Sequence, residues 1–184
     1  MSTVGLFVLI AVIVIAAIVW AVLQKRRTAL LRRRFGPEYN RAVNEYGDRR
    51  KAERALERRT ERTEKYHIRP LGSEEQQRFA EDWRQTQARF VDDPRLAVRE
   101  ADRLVTDVMR SKGYPMGDFE RRAEDISVDH PHVVRNYRVA HHIAASVEEG
   151  KATTEELRQA MVHYRELFDE MLEIQPAGAP ERRR

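Results

Sequence analysis

Residues 4–23 read VGLFVLIAVIVIAAIVWAVL, and residues 24–34 follow as QKRRTALLRRR. The first stretch carries no charged side chain, and as a helix its 20 residues would extend about 30 Å, the thickness of a bilayer core. The second stretch carries six basic residues and no acid. Trp20 stands near the junction, where an indole favours the lipid–water boundary. The pattern predicts an uncleaved transmembrane anchor over residues 1–24. A secretory signal would need a basic region before a shorter apolar run and a small-x-small site after it, and neither is present. A buried core helix would not need apolar residues on every face in so small a chain.

Orientation follows from the flanks. Lys25, Arg26, Arg27, Arg32, Arg33 and Arg34 form a lipid-facing basic collar just after the run. Met1-Ser2-Thr3 offers only the α-amine. The positive-inside rule then predicts a single-pass cell-membrane protein with its N-terminus outside and its C-terminal domain cytoplasmic. Each collar residue near an anionic leaflet adds about 1 kcal/mol of attraction.

The net charge of +4 over 184 residues is unevenly distributed. Residues 70–174 hold 15 basic and 22 acidic residues, so the foldable part is acidic while the collar and the Arg-rich tail are basic. That division weighs against a nucleic-acid-binding domain. The chain has no cysteine. Disulfides, thiolate metal sites and cysteine nucleophiles are thereby excluded.

Residues 25–69 read as the basic juxtamembrane region followed by a charged helical stalk. Gly36-Pro37 breaks the chain and Pro37 suits a first helical turn. Tyr39, Val43 and Tyr46 mark one apolar stripe. In Asp48–Lys65, 13 of 18 residues are charged and Leu56 is the one large apolar residue. Such a segment predicts a solvated helix or weak coiled coil, reaching about 43 Å from 38 to 66 if continuous.

Residues 70–174 carry the apolar periodicity of a small antiparallel helical bundle. Ser73 with Gln76 predicts a capping box, followed by Phe79, Trp83 and Phe90 on one face. Asp93-Pro94 predicts an N-cap and first turn for a helix bearing Val98, Ala101, Val105 and Val108, ended by Gly113. Asp118 is expected to cap a short helix with Phe119, Ala123 and Ile126. Asp129-His130-Pro131 is expected to repeat the cap-and-proline start before Val133, Tyr137, Ala140, Ala144 and Val147. Thr153 with Glu156 predicts a second capping box before Leu157, Ala160, Met161, Tyr164, Leu167, Phe168 and Met171. Residues 175–184 are expected to be a disordered tail. No stretch alternates with the period of a strand, so the expected class is all-α.

Four short motifs stand out in combination: Asp93-Pro94-Arg95, Gly113-Tyr114-Pro115, Asp129-His130-Pro131 and Met161-Val162-His163-Tyr164-Arg165. Over roughly 90–173 the chain resembles uncharacterised bacterial proteins with one N-terminal span and a helical cytoplasmic region. The resemblance implies a bacterial membrane location and carries no activity with it.

Chemistry is harder to find. His130, His132, His141, His142 and His163 cluster in the last third, but His141 and His142 are about 100° apart on a helix and cannot share a face. There is no H-E-x-x-H, and the one E-x-x-H, Glu64 to His67, falls in the stalk, whereas a di-iron bundle needs two. His163 is expected to bond Glu166 or water. His141 is expected beside a groove. Asp125 and Asp129 near His130 could form an acid–base cluster. Phosphate-cradling loops and hydrolase elbows are absent from the sequence. No catalytic residue, metal ligand or cofactor is therefore assigned, and an enzyme is not the expectation.

The expected role is that of a membrane-tethered cytoplasmic helical module for protein interaction or scaffolding. Its interaction surface is expected around Tyr114, Pro115, Met116, Asp129 and His130, loop residues that helical packing explains poorly. The expected partners are the bilayer lipid and an unidentified protein, with a second copy of the chain as a further option. The alternative is a metal-dependent or enzymatic bundle using His and Asp near 125–142.

Overall fold

A computed structural model describes residues 3–173, with residues 3–6, 8 and 9 described by their backbone alone. Among the described residues there are eight helices and no strand: α1 (Thr3–Phe35), α2 (Pro37–Tyr46), α3 (Arg49–Thr63), α4 (Ser73–Arg89), α5 (Pro94–Lys112), α6 (Phe119–Asp129), α7 (Val134–Glu148) and α8 (Thr154–Met171). The all-α class is as expected. The expected tail, 175–184, lies outside the described residues. The chain divides into two compact units at Leu56 and Glu57.

In the first unit α1 runs without a break through both the apolar stretch and the basic collar. Among the described residues no helix is long and apolar enough to cross a membrane. The apolar run begins at Val4, whereas side chains are described continuously from Ile10 onward. Counted from Ile10, any eighteen consecutive residues of α1 take in Lys25, Arg26 and Arg27. The large apolar side chain of Phe7 and the large apolar side chains from Ile10 to Leu23 are exposed, Ile15 and Trp20 among them.

After α1 the chain reverses twice. Gly36, at φ 47°, and Pro37 end α1 and start α2, as the Gly-Pro pair predicts. Gly47 closes α2 in the left-handed region. These breaks bring α2 and α3 back alongside α1 instead of letting them extend as a stalk. Glu53 is 5% exposed, and its Oε1 accepts hydrogen bonds from the hydroxyls of Thr28 and Tyr39, both at 2.8 Å. Tyr39 lies under the guanidinium of Arg32. Phe35, Tyr39, Ala42 and Ala52 are buried.

The charged segment is thus not solvated as expected. Ala52, Ala55, Leu56, Arg59 and Thr63, all buried, recur at helical spacing along α3. Small alanines let a backbone approach closely. Arg59 and Arg62 bury much of their aliphatic stems while their heads find Glu124 and Asp125.

The second unit is a helical bundle whose core is drawn from the stripes read in the sequence. Phe79 and Trp83 of α4, Val98, Ala101, Val105 and Val108 of α5, Ala123 and Ile126 of α6, and Tyr137 and Ala140 of α7 are buried. From α8 come Leu157, Ala160, Tyr164, Leu167, Phe168 and Met171. Trp83 stacks on Phe168 with ring centroids 5.1 Å apart.

Most helix boundaries follow their caps. Asp93, Asp118 and Thr153 each accept a hydrogen bond from the backbone of the third residue onward. Two differ. The N-cap of α4 is Gly72, and Glu75, not Gln76, reaches back to the Gly72 N–H at 3.0 Å. Arg69 pairs with Glu75 through both guanidinium nitrogens at 2.7 Å, which selects Glu75 over Gln76. Pro131 does not begin α7, because His130 caps the end of α6 and a turn intervenes before Val134.

Candidate functional site

The expected interaction loop lies between α5 and α6. Gly113 ends α5 at φ 95°, and an added Cβ there would stand 2.5 Å from the carbonyl oxygen of His67. That close approach fixes the loop's take-off. Tyr114 then turns inward: it is 3% exposed, and its hydroxyl donates to Oδ2 of Asp129 at 2.8 Å. Burial, followed by the charge of Asp129, raises the Tyr114 pKa well above 10.0. The hydroxyl therefore stays protonated and serves as a donor. Tyr114 and Asp129 do meet, but Tyr114 belongs to the core, and Met116 is the exposed apolar residue of the loop. Nδ1 of His130 is 3.4 Å from Glu170.

The acid–base cluster expected from Asp125, Asp129 and His130 takes a different form, because each group is engaged elsewhere. The Asp125 side chain is fully buried, and Arg62 donates to its Oδ1 from Nε at 2.9 Å and Nη2 at 2.7 Å. Glu124 accepts from Arg62 at 2.9 Å and from Arg59 at 3.2 Å. Burial raises the Asp125 pKa above 3.8 despite the opposing hydrogen bonds from Arg62. Among the described residues no three His, Asp or Glu side chains come together as a metal ion would need.

A second polar constellation is one that sequence reasoning missed. Oδ1 of Asp102, on α5, receives Nδ1 of His141, on α7, at 2.9 Å and the hydroxyl of Tyr164, on α8, at 2.7 Å. The His141 ring stacks on Phe119, centroids 3.8 Å apart at 10°. Beside it the Tyr137 hydroxyl accepts from Nε of Arg122 at 3.2 Å, and Nη1 of Arg122 donates to the Gly117 carbonyl at 2.8 Å. Burial would raise the Asp102 pKa, but the hydrogen bonds from His141 and Tyr164 outweigh it and hold the carboxyl below 3.8. An ionised Asp102 requires His141 to carry its proton on Nδ1. A carboxylate orienting an imidazole is one component of general-base machinery. Here the second donor is the buried core residue Tyr164, so the trio ties α5, α7 and α8 together. Its members are 39 and 62 residues from Asp102 along the chain, a separation that sequence periodicity does not bridge.

No family model, curated protein or solved structure matches the chain.

Three surface clefts lie away from that trio. One, of about 160 Å³, runs between the end of α4 and α8 and is lined by Phe90, Met161, Val162, Arg158 and Arg165 with Gln87. A second, of about 220 Å³, lies between α4 and α5 and is lined mainly by charged side chains. The third belongs to the first unit. It measures about 190 Å³ and is lined by Trp20, Gln24, Arg27, Arg50, Glu53 and Arg54. Of the six collar residues only Arg27 reaches it. Arg50 and Arg54 come from the segment read as a stalk, and the signal that could have placed them was the pair of glycine breaks at Gly36 and Gly47.

His163 differs from expectation. Its Nδ1 is buried with no hydrogen-bond partner among the described residues, while Glu166 pairs with Asn136.

Proposed function

We propose that the chain is a single-pass membrane protein whose helical bundle works as a tethered protein-interaction module on the cytoplasmic side. One observation carries this reading. The described apolar side chains of α1 are exposed on every side up to Leu23, and Lys25 and its basic neighbours follow at once on the same helix. A continuous exposed apolar rod of that size is not stable in water. Lipid would satisfy it, and the basic flank sets the orientation. The resemblance to bacterial single-span proteins points the same way. The interaction role is supported by the loop at Pro115, Met116 and Gly117, which leaves Met116 exposed.

The test uses the absence of cysteine, which makes any introduced thiol unique. The full chain should float with phospholipid vesicles and resist alkaline extraction. In bacterial cells, Lys151→Cys should react with a membrane-impermeant maleimide only after lysis. Recovery of the full chain in the aqueous fraction, or labelling of intact cells, would overturn the reading. Replacing Met116 by a photocrosslinking residue should capture a discrete protein in membranes, and the loss of that adduct in a scrambled 115–117 control is the expected result.

A further inference from the structure

We infer that the cleft between α1 and the start of α3 is a binding site for the phosphate headgroup of an anionic phospholipid. The inference rests on the membrane-anchored reading above. Four features of the cleft argue for it.

The first is position. Trp20 closes the apolar run, and Gln24 and Arg27 are the next residues on the same side of α1. The turn at Gly47-Asp48 returns the chain to this height, so that Arg50 and Arg54 of α3 line the same cleft as Trp20. In a bilayer this is the level of the headgroups.

The second is charge. Arg50 and Arg54 line the α3 side of the cleft with a single carboxylate, Glu53, so that side carries a net positive charge. Glu53 does not offer its charge freely to the cleft. Its Oε1 takes the Thr28 and Tyr39 hydroxyls, and Arg49 lies 3.7 Å away. Glu53 thus acts as the buried pin that holds α3 against α1.

The third is geometry. Nε of Arg54 donates to the Arg50 carbonyl at 3.3 Å, which holds that guanidinium over the preceding turn. The planar guanidinium groups of Arg50 and Arg54, one turn apart on α3, suit the oxygens of a phosphodiester, which they can bind in pairs. The volume of about 190 Å³ takes a phosphate with attached glycerol.

The fourth is the Trp20 indole, 56% exposed, whose apolar body suits the first acyl carbons and whose N–H suits the ester region.

The diffuse field of a basic collar would attract any anionic leaflet without discriminating between arginines. The cleft makes a sharper prediction. The full chain is reconstituted in phosphatidylcholine nanodiscs containing a minor fraction of phosphatidylglycerol, and the phospholipid retained on release is counted by native mass spectrometry. The wild type should retain one phosphatidylglycerol in preference to phosphatidylcholine. Arg50→Gln with Arg54→Gln should cut that retention about tenfold or more. Arg26→Gln with Arg33→Gln removes the same charge from collar positions outside the cleft and should leave retention near wild type. Arg50→Lys with Arg54→Lys should restore part of it. Equal loss from both glutamine pairs would mean a diffuse field and overturn the site. Equal retention of the two lipids would overturn it as well. Displacement of the lipid by millimolar inorganic phosphate would assign the cleft to free phosphate instead. Vesicle flotation keeps the two readings apart: a chain that does not float fails as an anchor, whereas one that floats without selecting phosphatidylglycerol fails at the cleft alone.

Discussion

Arg62 and Asp125 meet through one carboxylate oxygen: Nε lies 2.9 Å and Nη2 2.7 Å from Oδ1, while Oδ2 is buried with no hydrogen-bond partner among the described residues. A buried carboxylate held on one oxygen depends heavily on its partner. Arg62→Met should destabilise the bundle by about 3–5 kcal/mol, because it strands a buried charge. Adding Asp125→Asn to that variant should recover much of the loss. Chemical denaturation followed by near-ultraviolet circular dichroism measures both. A loss below about 1 kcal/mol for Arg62→Met would place the pair among exposed salt bridges instead.

Asp102 and Asp125 should respond to acid with opposite signs. The Asp102 carboxyl is held below 3.8 in the fold, so its contribution is complete above that value and is lost as pH falls through the lower folded one. The stability difference between wild type and Asp102→Asn should therefore be largest above pH 3.8, at about 1–3 kcal/mol, and shrink in stronger acid. Asp125 is raised above 3.8, so protonation favours the folded state. Relative to Asp125→Asn, the wild type should gain stability as pH falls from the raised folded value towards 3.8. Denaturation midpoints at a series of acid pH values distinguish the two.

Gly113→Ala should cost about 1–3 kcal/mol, since φ 95° is a region that L residues rarely adopt. Steric conflict adds to this, because the new methyl group would meet the His67 carbonyl at 2.5 Å. Gly150→Ala supplies the comparison. It too has positive φ, but an added Cβ there meets nothing within 4 Å, so the difference between the two melting temperatures reports the conflict alone.

Tyr39→Phe should cost about 1.5–3 kcal/mol, as expected for one lost hydrogen bond to a charged group. Glu53→Ala should cost more, because it strands two hydroxyl donors at once. Thermal unfolding in detergent of the two variants tests this order, and an equal loss would contradict the pinning role of Glu53.

The bundle was legible because its signals are local. Asp93, Asp118 and Thr153 announce helix starts within three residues, and the stripes of α5 and α8 repeat often enough to outweigh noise. The fold-back of α2 and α3 was not legible. A helix that buries Ala52, Ala55 and Leu56 beside Arg59 has no greasy face in the usual sense, and its charges look solvated until Glu53, Glu124 and Asp125 are placed against their donors. The same holds for the Asp102, His141 and Tyr164 trio. Each residue alone reads as a polar flank of an apolar stripe, and only the crossing of three helices joins them. The cap of α4 falls one residue before Ser73 because Gly72, which has no side-chain oxygen and so gives no motif, takes the N-cap position, with Glu75 reaching back to it while the Gln76 side chain bonds the Leu172 carbonyl.

The stacking of Trp83 on Phe168 has a consequence for biosynthesis. The ring that completes the α4 face arrives with α8, after α4, α5 and α7 have been made, as does the hydroxyl that Asp102 awaits. Until α8 leaves the ribosome, α4, α5 and α7 can form only as an open sheaf with a wet seam. The bundle should therefore gain protease resistance in one late step of elongation, so stalled chains ending before residue 154 should be digested and chains extended well past 173 should not.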